Sequence, residues 1–223
     1  MNFNLKFAVL CFVLNLMALT TAFAQKQTDK SEKQINNRFA FLDSRGLHAI
    51  DLAVGSATLI DSDYSNSELD LSFRLGYKYH ITSHLNINLT YNKYNVVIKD
   101  LYNEGYMSFD VNLEYLITPF NKFSPYIFVG GGYNASNYYN TTATKAQAGL
   151  GIEYMVAYQV GLKLFGEYNY MFTDELDGLI QGSSDDSLLR IGLGLNIYFG
   201  GQKKKEAIRK KMKTVINSNL IYP

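Results

Sequence analysis

One cysteine, no tryptophan, three prolines and three histidines are found in 223 residues. Cys11 lies inside the first apolar run, so the chain beyond that run holds no thiol. A disulfide framework is therefore excluded there, and a small secreted domain held by such staples with it. The sequons at Asn88, Asn134 and Asn140 are then chance matches. Charge is sparse as well: 18% of residues are charged and the formal net charge is +1, so nothing in the overall charge points to nucleic acid. Beyond residue 24 no apolar run is long enough for a helical span. Aromatic residues are plentiful by contrast, with 18 Tyr and 14 Phe. This composition alone does not separate a water-soluble domain from a membrane one, so the residue pattern has to decide.

The first 24 residues have the layout of a secretion signal, with Lys6 ahead of an apolar stretch from Phe7 to Leu19 and Ala22-Phe23-Ala24 as the cleavage motif. Leu10 before Cys11 is not the small residue a lipoprotein signal requires, so lipidation is not expected. Residues 25–45 begin with a polar run (QKQTDKSEKQINNR) and read as a flexible periplasmic lead-in.

From residue 46 to Phe199 the dominant signal is alternation with period two. In residues 68–80, Leu69, Leu71, Phe73, Leu75, Tyr77 and Tyr79 share one parity, and Glu68, Asp70, Ser72, Arg74, Gly76, Lys78 and His80 the other. A helix would scatter these two sets, whereas a strand puts them on opposite faces. The same pattern recurs at about 47–59, 85–94, 106–117, 125–135, 146–156, 161–172 and 188–199. Glycines 130–132 blur the parity of the fifth segment. The expected fold is all-β: an eight-stranded antiparallel transmembrane barrel in an up-and-down meander, because ten-residue strands cross a tilted bilayer and lipid forbids an open edge. Connections after the even strands are short and those after the odd strands mostly longer, which puts both termini in the periplasm. Tyr77, Tyr79, Tyr138, Tyr139, Tyr168 and Tyr170 suit interfacial girdles. The competing arrangement is a soluble lipocalin-like barrel with its apolar face inward. It fails on volume, since a small barrel interior cannot hold so many Leu, Ile, Phe and Tyr side chains.

The alternating strands, the segment PYIFVGGGYN (Pro125 to Asn134) and the closing LRIGLGLNIYF (Leu189 to Phe199) resemble the outer-membrane β-barrel superfamily of OmpA- and OmpX-like proteins. That resemblance implies bacterial outer-membrane localisation and recognition by the barrel-assembly machinery, with Leu195, Ile197 and Phe199 as the assembly signal. Here, unlike the usual pattern, 24 residues follow Phe199. Met107 to Tyr139 and Gly166 to Leu179 are similar to barrels associated with curli-type fibre secretion, which would imply a secretion accessory.

The polar parity nominates a lumen network of six acids (Asp51, Asp70, Asp110, Glu114, Glu153, Glu167) and four bases (Arg74, Lys78, Lys163, Arg190). Opposite charges inside so narrow a barrel are expected to pair and plug it; a narrow or gated ion path is the alternative. His48, His80 and His84 map to periplasmic strand ends or turns without an evident nucleophile, so no enzyme activity is expected, and no catalytic, cofactor or metal residues are assigned. Acidic residues fall in the external connections: Asp61 and Asp63, Asp100 and Glu104, and Asp174, Glu175, Asp177, Asp185 and Asp186. They read as a solvated face, with divalent bridging to lipopolysaccharide as the alternative. The third connection, rich in Asn, Tyr and Thr, suits surface adhesion or binding. Residues 200–223 form a basic periplasmic tail. Its Lys203, Lys204, Lys205, Arg209, Lys210, Lys211 and Lys213 face only Glu206, which suits docking to anionic lipid or to a periplasmic or secretion-system protein. The expected role is structural, assembly or secretion-accessory.

Overall fold

Period-two alternation becomes a wall with two unlike faces once the strands pair in register. The computed structural model describes residues 27–61, 67–98, 102–137, 139, 141–172, 187–210 and 212. Along the chain run α1 (Gln27–Ser44), β1 (His48–Asp61), β2 (Ser67–Glu68), β3 (Asp70–His80), β4 (Leu85–Ile98), β5 (Tyr102–Leu116), β6 (Phe123–Ser136), β7 (Thr142–Ala157), β8 (Val160–Met171), β9 (Ser187–Phe199) and α2 (Gln202–Arg209). Every strand pair is antiparallel, and β4 pairs with both β3 and β5. Closure comes from β1 pairing with β9 from His48↔Phe199 to Thr58↔Leu189. The two-residue β2 only continues the β3 stave along β4, so the barrel has eight staves.

The faces fall as the parity requires. In β3, Leu75 is 54% exposed while Lys78 is 1% exposed. Leu52, Val54, Leu89, Val111, Leu113, Ile127, Leu150, Leu164, Leu193 and Leu195 are exposed in the same outward sense. A continuous apolar belt of this size is untenable against water and natural against hydrocarbon. The lipocalin-like arrangement is therefore ruled out. The parity of β6 is resolved too, with Tyr126, Phe128 and Asn134 facing inward and Ile127, Val129 and Tyr133 outward.

At the end bearing both terminal helices the connections are residues 81–84, 117–122 and 158–159; at the other they are 62–66, 99–101, 137–141 and 173–186. The second and third external connections are shorter than the sequence pattern suggests. β4 and β5 extend to Ile98 and Tyr102, which puts Glu104 in a strand. Asp63, Asp100, Tyr138, Asp174, Glu175, Asp177, Asp185 and Asp186 lie outside the described residues, as do the signal segment and its cleavage motif.

Residues 27–44 are helical, where the polar run suggests flexible chain. A polar helix gains its stability from what its ends bury. Here Phe41 and Leu42 are buried, and the Phe41 ring meets His80 edge-on at 5.2 Å. The helix thus covers the barrel mouth at the end where both termini lie.

Membrane depth orders the cost of a charge on the outer wall. Leu75→Arg, at the middle of β3, is expected to destabilise the barrel by about 2–4 kcal/mol, and Leu71→Arg, near the strand's end, by about 0–1 kcal/mol. Denaturant unfolding in lipid vesicles checks this. Equal costs at the two positions would place the bilayer wrongly on the wall.

Candidate functional site: the filled lumen and its closed mouth

Side chains of alternating size fill the interior in layers. At the end away from the helices, Tyr94, Tyr106, Val96, Ile98, Met171 and Leu188 form an apolar cluster. Below it lies the densest charge cluster. Arg190 reaches Asp110 at 3.1 Å and also pairs with Glu167. Arg74 pairs with the other oxygen of Glu167 and donates from Nε to Asn92 Oδ1 at 2.7 Å. Lys145 donates to Asp110 at 3.0 Å and to Asn169 at 2.8 Å. Two arginines and a lysine thus share two carboxylates, with the Asn92 and Asn169 amides and the Ser108 hydroxyl accepting further hydrogen bonds. Buried charge is tolerated on those terms.

The next layer is aromatic, with Tyr126, Phe128 and Phe165 around Ala53 and Leu116. The Arg74 guanidinium sits 4.2 Å from the Phe165 ring centre, joining this layer to the one above through a cation–π contact. Glycine makes room for the rings: a Cβ on Gly149 would lie 2.3 Å from Phe128, and one on Gly151 2.5 Å from Tyr126. Below, Lys163 pairs with Asp51, and Lys78 meets both Glu114 oxygens at 2.8 and 2.9 Å. A gap between Asp51, Arg74, Glu114 and Lys163 measures about 10 Å³, roughly the room one water needs.

The last layer is contributed from outside the wall. Arg45, between α1 and β1, enters the mouth and pairs with Glu153 at 3.0 Å. It also donates to the Pro119 carbonyl at 2.5 Å and to Ser124 Oγ at 2.9 Å. Tyr198 and Asn196 donate to the same Glu153.

The expected network is therefore revised in three places. Asp70 stands at the rim, half-buried, accepting from Asn95 at 3.0 Å and from the Leu71 N–H, and belongs to no ion pair in the lumen. Lys145 joins the network from β7, and Arg45 joins from the lead-in. Instead of six acids and four bases, the buried charges among the described residues are five acids (Asp51, Asp110, Glu114, Glu153, Glu167) and six bases (Arg45, Arg74, Lys78, Lys145, Lys163, Arg190). Lys145 escaped notice because its outward neighbours Thr144 and Ala146 lack the large apolar side chains that mark a strand.

The histidines occupy three unlike settings. His48 Nδ1 is 2.6 Å from the Tyr77 hydroxyl, and its ring stacks on Phe199. His84 Nδ1 is 2.8 Å from the Leu116 carbonyl oxygen. His80 faces inward against Phe41 and Tyr198, and neither ring nitrogen has a hydrogen-bond partner among the described residues.

Of the proposed assembly signal, Leu195, Ile197 and Phe199 all face outward on β9. From the tail, Lys203, Lys204, Lys205 and Arg209 lie in α2 and Lys210 just after it; Lys211 and Lys213 fall outside the described residues. Gly200 and Gly201, at φ 75° and 84°, turn the chain back under the wall. There Lys205 pairs with Asp43 of α1, a hydrogen bond that raises the lysine pKa above its ordinary value, and its ammonium lies 5.5 Å from the Phe39 ring centre. Lys204 lies 6.0 Å from the ring centre of Tyr79 on the outer wall.

Comparison with known families decides between the remaining descriptions. The model of the outer membrane protein beta-barrel domain matches residues 16–199. The chain belongs to that family. A barrel of this family resides in the bacterial outer membrane, and its matched region ends at the last residue of β9, so α2 follows the family domain. No curated protein matches the sequence. Among solved structures, neisserial surface protein A is 17% identical over 68% of this chain and 97% of its own, with a TM-score of 0.56. Ail, the attachment invasion locus protein of Yersinia pestis, is 15% identical over 68% and 97%, with a TM-score of 0.45. OprG from Pseudomonas aeruginosa is 14% identical over 70% and 99%, with the same score. At such identities the likeness is one of fold alone.

Truncating Arg45 to alanine strands a buried carboxylate in the mouth and is expected to cost about 3–5 kcal/mol. Asp70→Asn, at the rim, is expected to change stability by less than about 0.5 kcal/mol. Unfolding of both variants in detergent micelles checks the contrast. A negligible effect of Arg45→Ala would contradict the closed mouth.

Proposed function

We propose that this outer-membrane barrel is a non-conducting, non-enzymatic anchor with a structural, assembly or secretion-accessory role, both termini lying in the periplasm. The observation that carries the reading is the filled lumen, which is paired charge and aromatic packing from one end to the other, with Arg45 closing the mouth. Such an interior favours a plug over a gated pore. The histidine settings favour a non-enzymatic role: His48 and His84 are engaged by Tyr77 and a main-chain carbonyl, and His80 is sealed against aromatic rings. Outward Leu195, Ile197 and Phe199 on the closing strand suit recognition by the barrel-assembly machinery. The docked, basic α2 offers a surface to anionic lipid or to a periplasmic partner. A curli-type partner rests on the resemblance of Met107–Tyr139 and Gly166–Leu179 alone.

Topology rests on the two-residue turn 158–159 at the helix-bearing end against the fourteen-residue connection 173–186 at the other. Two measurements test the proposal. In planar bilayers the purified chain is expected to give no step currents; reproducible, ion-selective steps would overturn the plugged reading. In intact cells a membrane-impermeant maleimide is expected to label Tyr139→Cys, and to label Lys210→Cys only after the outer membrane is permeabilised. The reverse pattern would invert the topology.

A further inference from the structure

Cations at the helix-bearing end divide into those with a partner and those without. On α1, Arg38, Phe41, Leu42 and Arg45 recur at helical spacing and so share the face turned to the mouth. Arg45 is taken by Glu153, and on α2 Lys205 is taken by Asp43. Arg38 and Lys204 form no hydrogen bond or ion pair among the described residues, and both are exposed.

Those two side chains line one crevice, between α1, the turn that follows β3, and α2. No acid lines it, and Thr82 and Ser83 stand at its edge. Two cations lining one hollow repel each other unless an anion lies between them. The hydroxyls point the same way. Thr82 Oγ1 accepts from the His84 and Leu85 N–H groups, and neither its own hydrogen nor that of Ser83 has an acceptor among the described residues. His80 also lines the crevice, 1% exposed and with both ring nitrogens unpartnered. The nearby Glu153 is already occupied by Arg45, Asn196 and Tyr198. A buried donor left in this state needs an acceptor from elsewhere. The hollow measures about 10 Å³, which is room for about one oxygen atom. A larger anion would therefore leave one oxygen inside and the rest between the two exposed cations.

The surroundings identify that anion. The Lys204 ammonium lies 6.0 Å from the ring centre of Tyr79, which faces outward, and Ile81 at the crevice edge is exposed. His48 packs against Tyr77, Tyr79 and Phe199 on the same outer face. An aromatic band of this kind marks the depth of lipid headgroups. The crevice thus stands where a phosphate group meets the wall, with Tyr79 and Ile81 beside it for the start of an acyl chain. We propose that Arg38, Lys204 and the 81–83 turn clasp the phosphate of an anionic phospholipid in the leaflet at the helix-bearing end. Arg38 offers its planar fork to two oxygens and Lys204 a point charge, while the turn hydroxyls and the His80 N–H donate to the remainder. A zwitterionic headgroup fits less well, because its amine adds a third positive charge to the same place.

The proposal deepens the docking role given to α2, and only the leaflet rests on the placement of the termini. The test uses the full chain in nanodiscs of phosphatidylcholine with a minor share of phosphatidylglycerol, and native mass spectrometry counts the lipid retained. The wild-type chain is expected to retain phosphatidylglycerol over phosphatidylcholine. Arg38→Gln with Lys204→Gln is expected to retain about tenfold less. Lys203→Gln with Lys210→Gln removes the same charge from α2 outside the crevice and is expected to match wild type. An unchanged unfolding midpoint is expected for both pairs, since all four side chains are exposed. Undiminished retention by the Arg38/Lys204 pair, or equal loss by both pairs, would overturn the site, the second result pointing to diffuse attraction by a basic helix. Glycerol phosphate bound in detergent as tightly as phosphatidylglycerol, through the same two residues, would overturn the lipid source in favour of a soluble phosphate. Inverted maleimide labelling with intact Arg38- and Lys204-dependent retention would keep the site and refute only the leaflet.

Discussion

Hydrocarbon offers no hydrogen bonds, and the rest of this structure follows from that. An open edge in the bilayer would leave a row of N–H and C=O groups unpaired, so the sheet must close, and β1 pairs with β9 along its length. Closure with eight staves leaves an interior only a few side chains wide. The polar parity that lipid rejects is confined there with little water, where an unpaired charge is costly. Pairing is then required rather than optional. Glu167 is shared between Arg74 and Arg190, and Asp110 between Arg190 and Lys145. The aromatic layer between the two charge layers takes part as well, since Phe165 receives the guanidinium of Arg74 and the ammonium of Lys163 on its ring.

Closure also settles where the ends of the chain go. An even number of antiparallel staves returns the last strand to the side of the first, with Phe199 opposite His48. The segments that precede β1 and follow β9 are therefore neighbours, however far apart they are in sequence. Gly200 and Gly201 convert that proximity into contact by turning α2 back onto α1, where Lys205 meets Asp43. The Arg45 plug belongs to the same logic. Glu153 faces inward at the helix-bearing end of β7 and needs a cation, and the residues just before β1 can supply one without crossing the wall.

How much of this could be read from sequence depended on whether both parities carried distinctive residues. In β3, large apolar side chains alternate with Arg74, Lys78 and His80, and strand, face and register were all legible. Where one parity lost its character the reading failed. Thr144, Ala146 and Ala148 are too small to announce a lipid face, so Lys145 passed for a loop residue. In β6, Gly130 and Gly132 occupy the polar parity without polar side chains. The reason lies on the neighbouring strand: a Cβ on either glycine would come within 2.2 Å of Asn112 or Asp110. That demand belongs to β5 and leaves no mark in the sequence of β6 itself. Arg45 and α1 were missed for a related reason, because a polar helix stabilised by docking shows no periodicity of its own until the mouth it covers is known.

Residues that break the pattern are then the places to look for function, because a barrel wall otherwise repeats one instruction. Asp70 breaks it trivially, lying at the rim where the Asn95 amide and the Leu71 N–H satisfy it. Lys93 breaks it on the lipid face, where among the described residues it is the one outward charge of the strands and donates to the Asn137 side chain. The lumen is filled by paired charges and rings that the closed fold itself demands, so the features particular to this barrel are to be sought on its outer wall and at its ends. Among the described residues the outward face of the strands carries one cation, Lys93, at the edge of an apolar groove, and the helix-bearing end carries a basic helix clamped to an acidic residue of α1. Each pairs a surface with chemistry that the fold alone does not require.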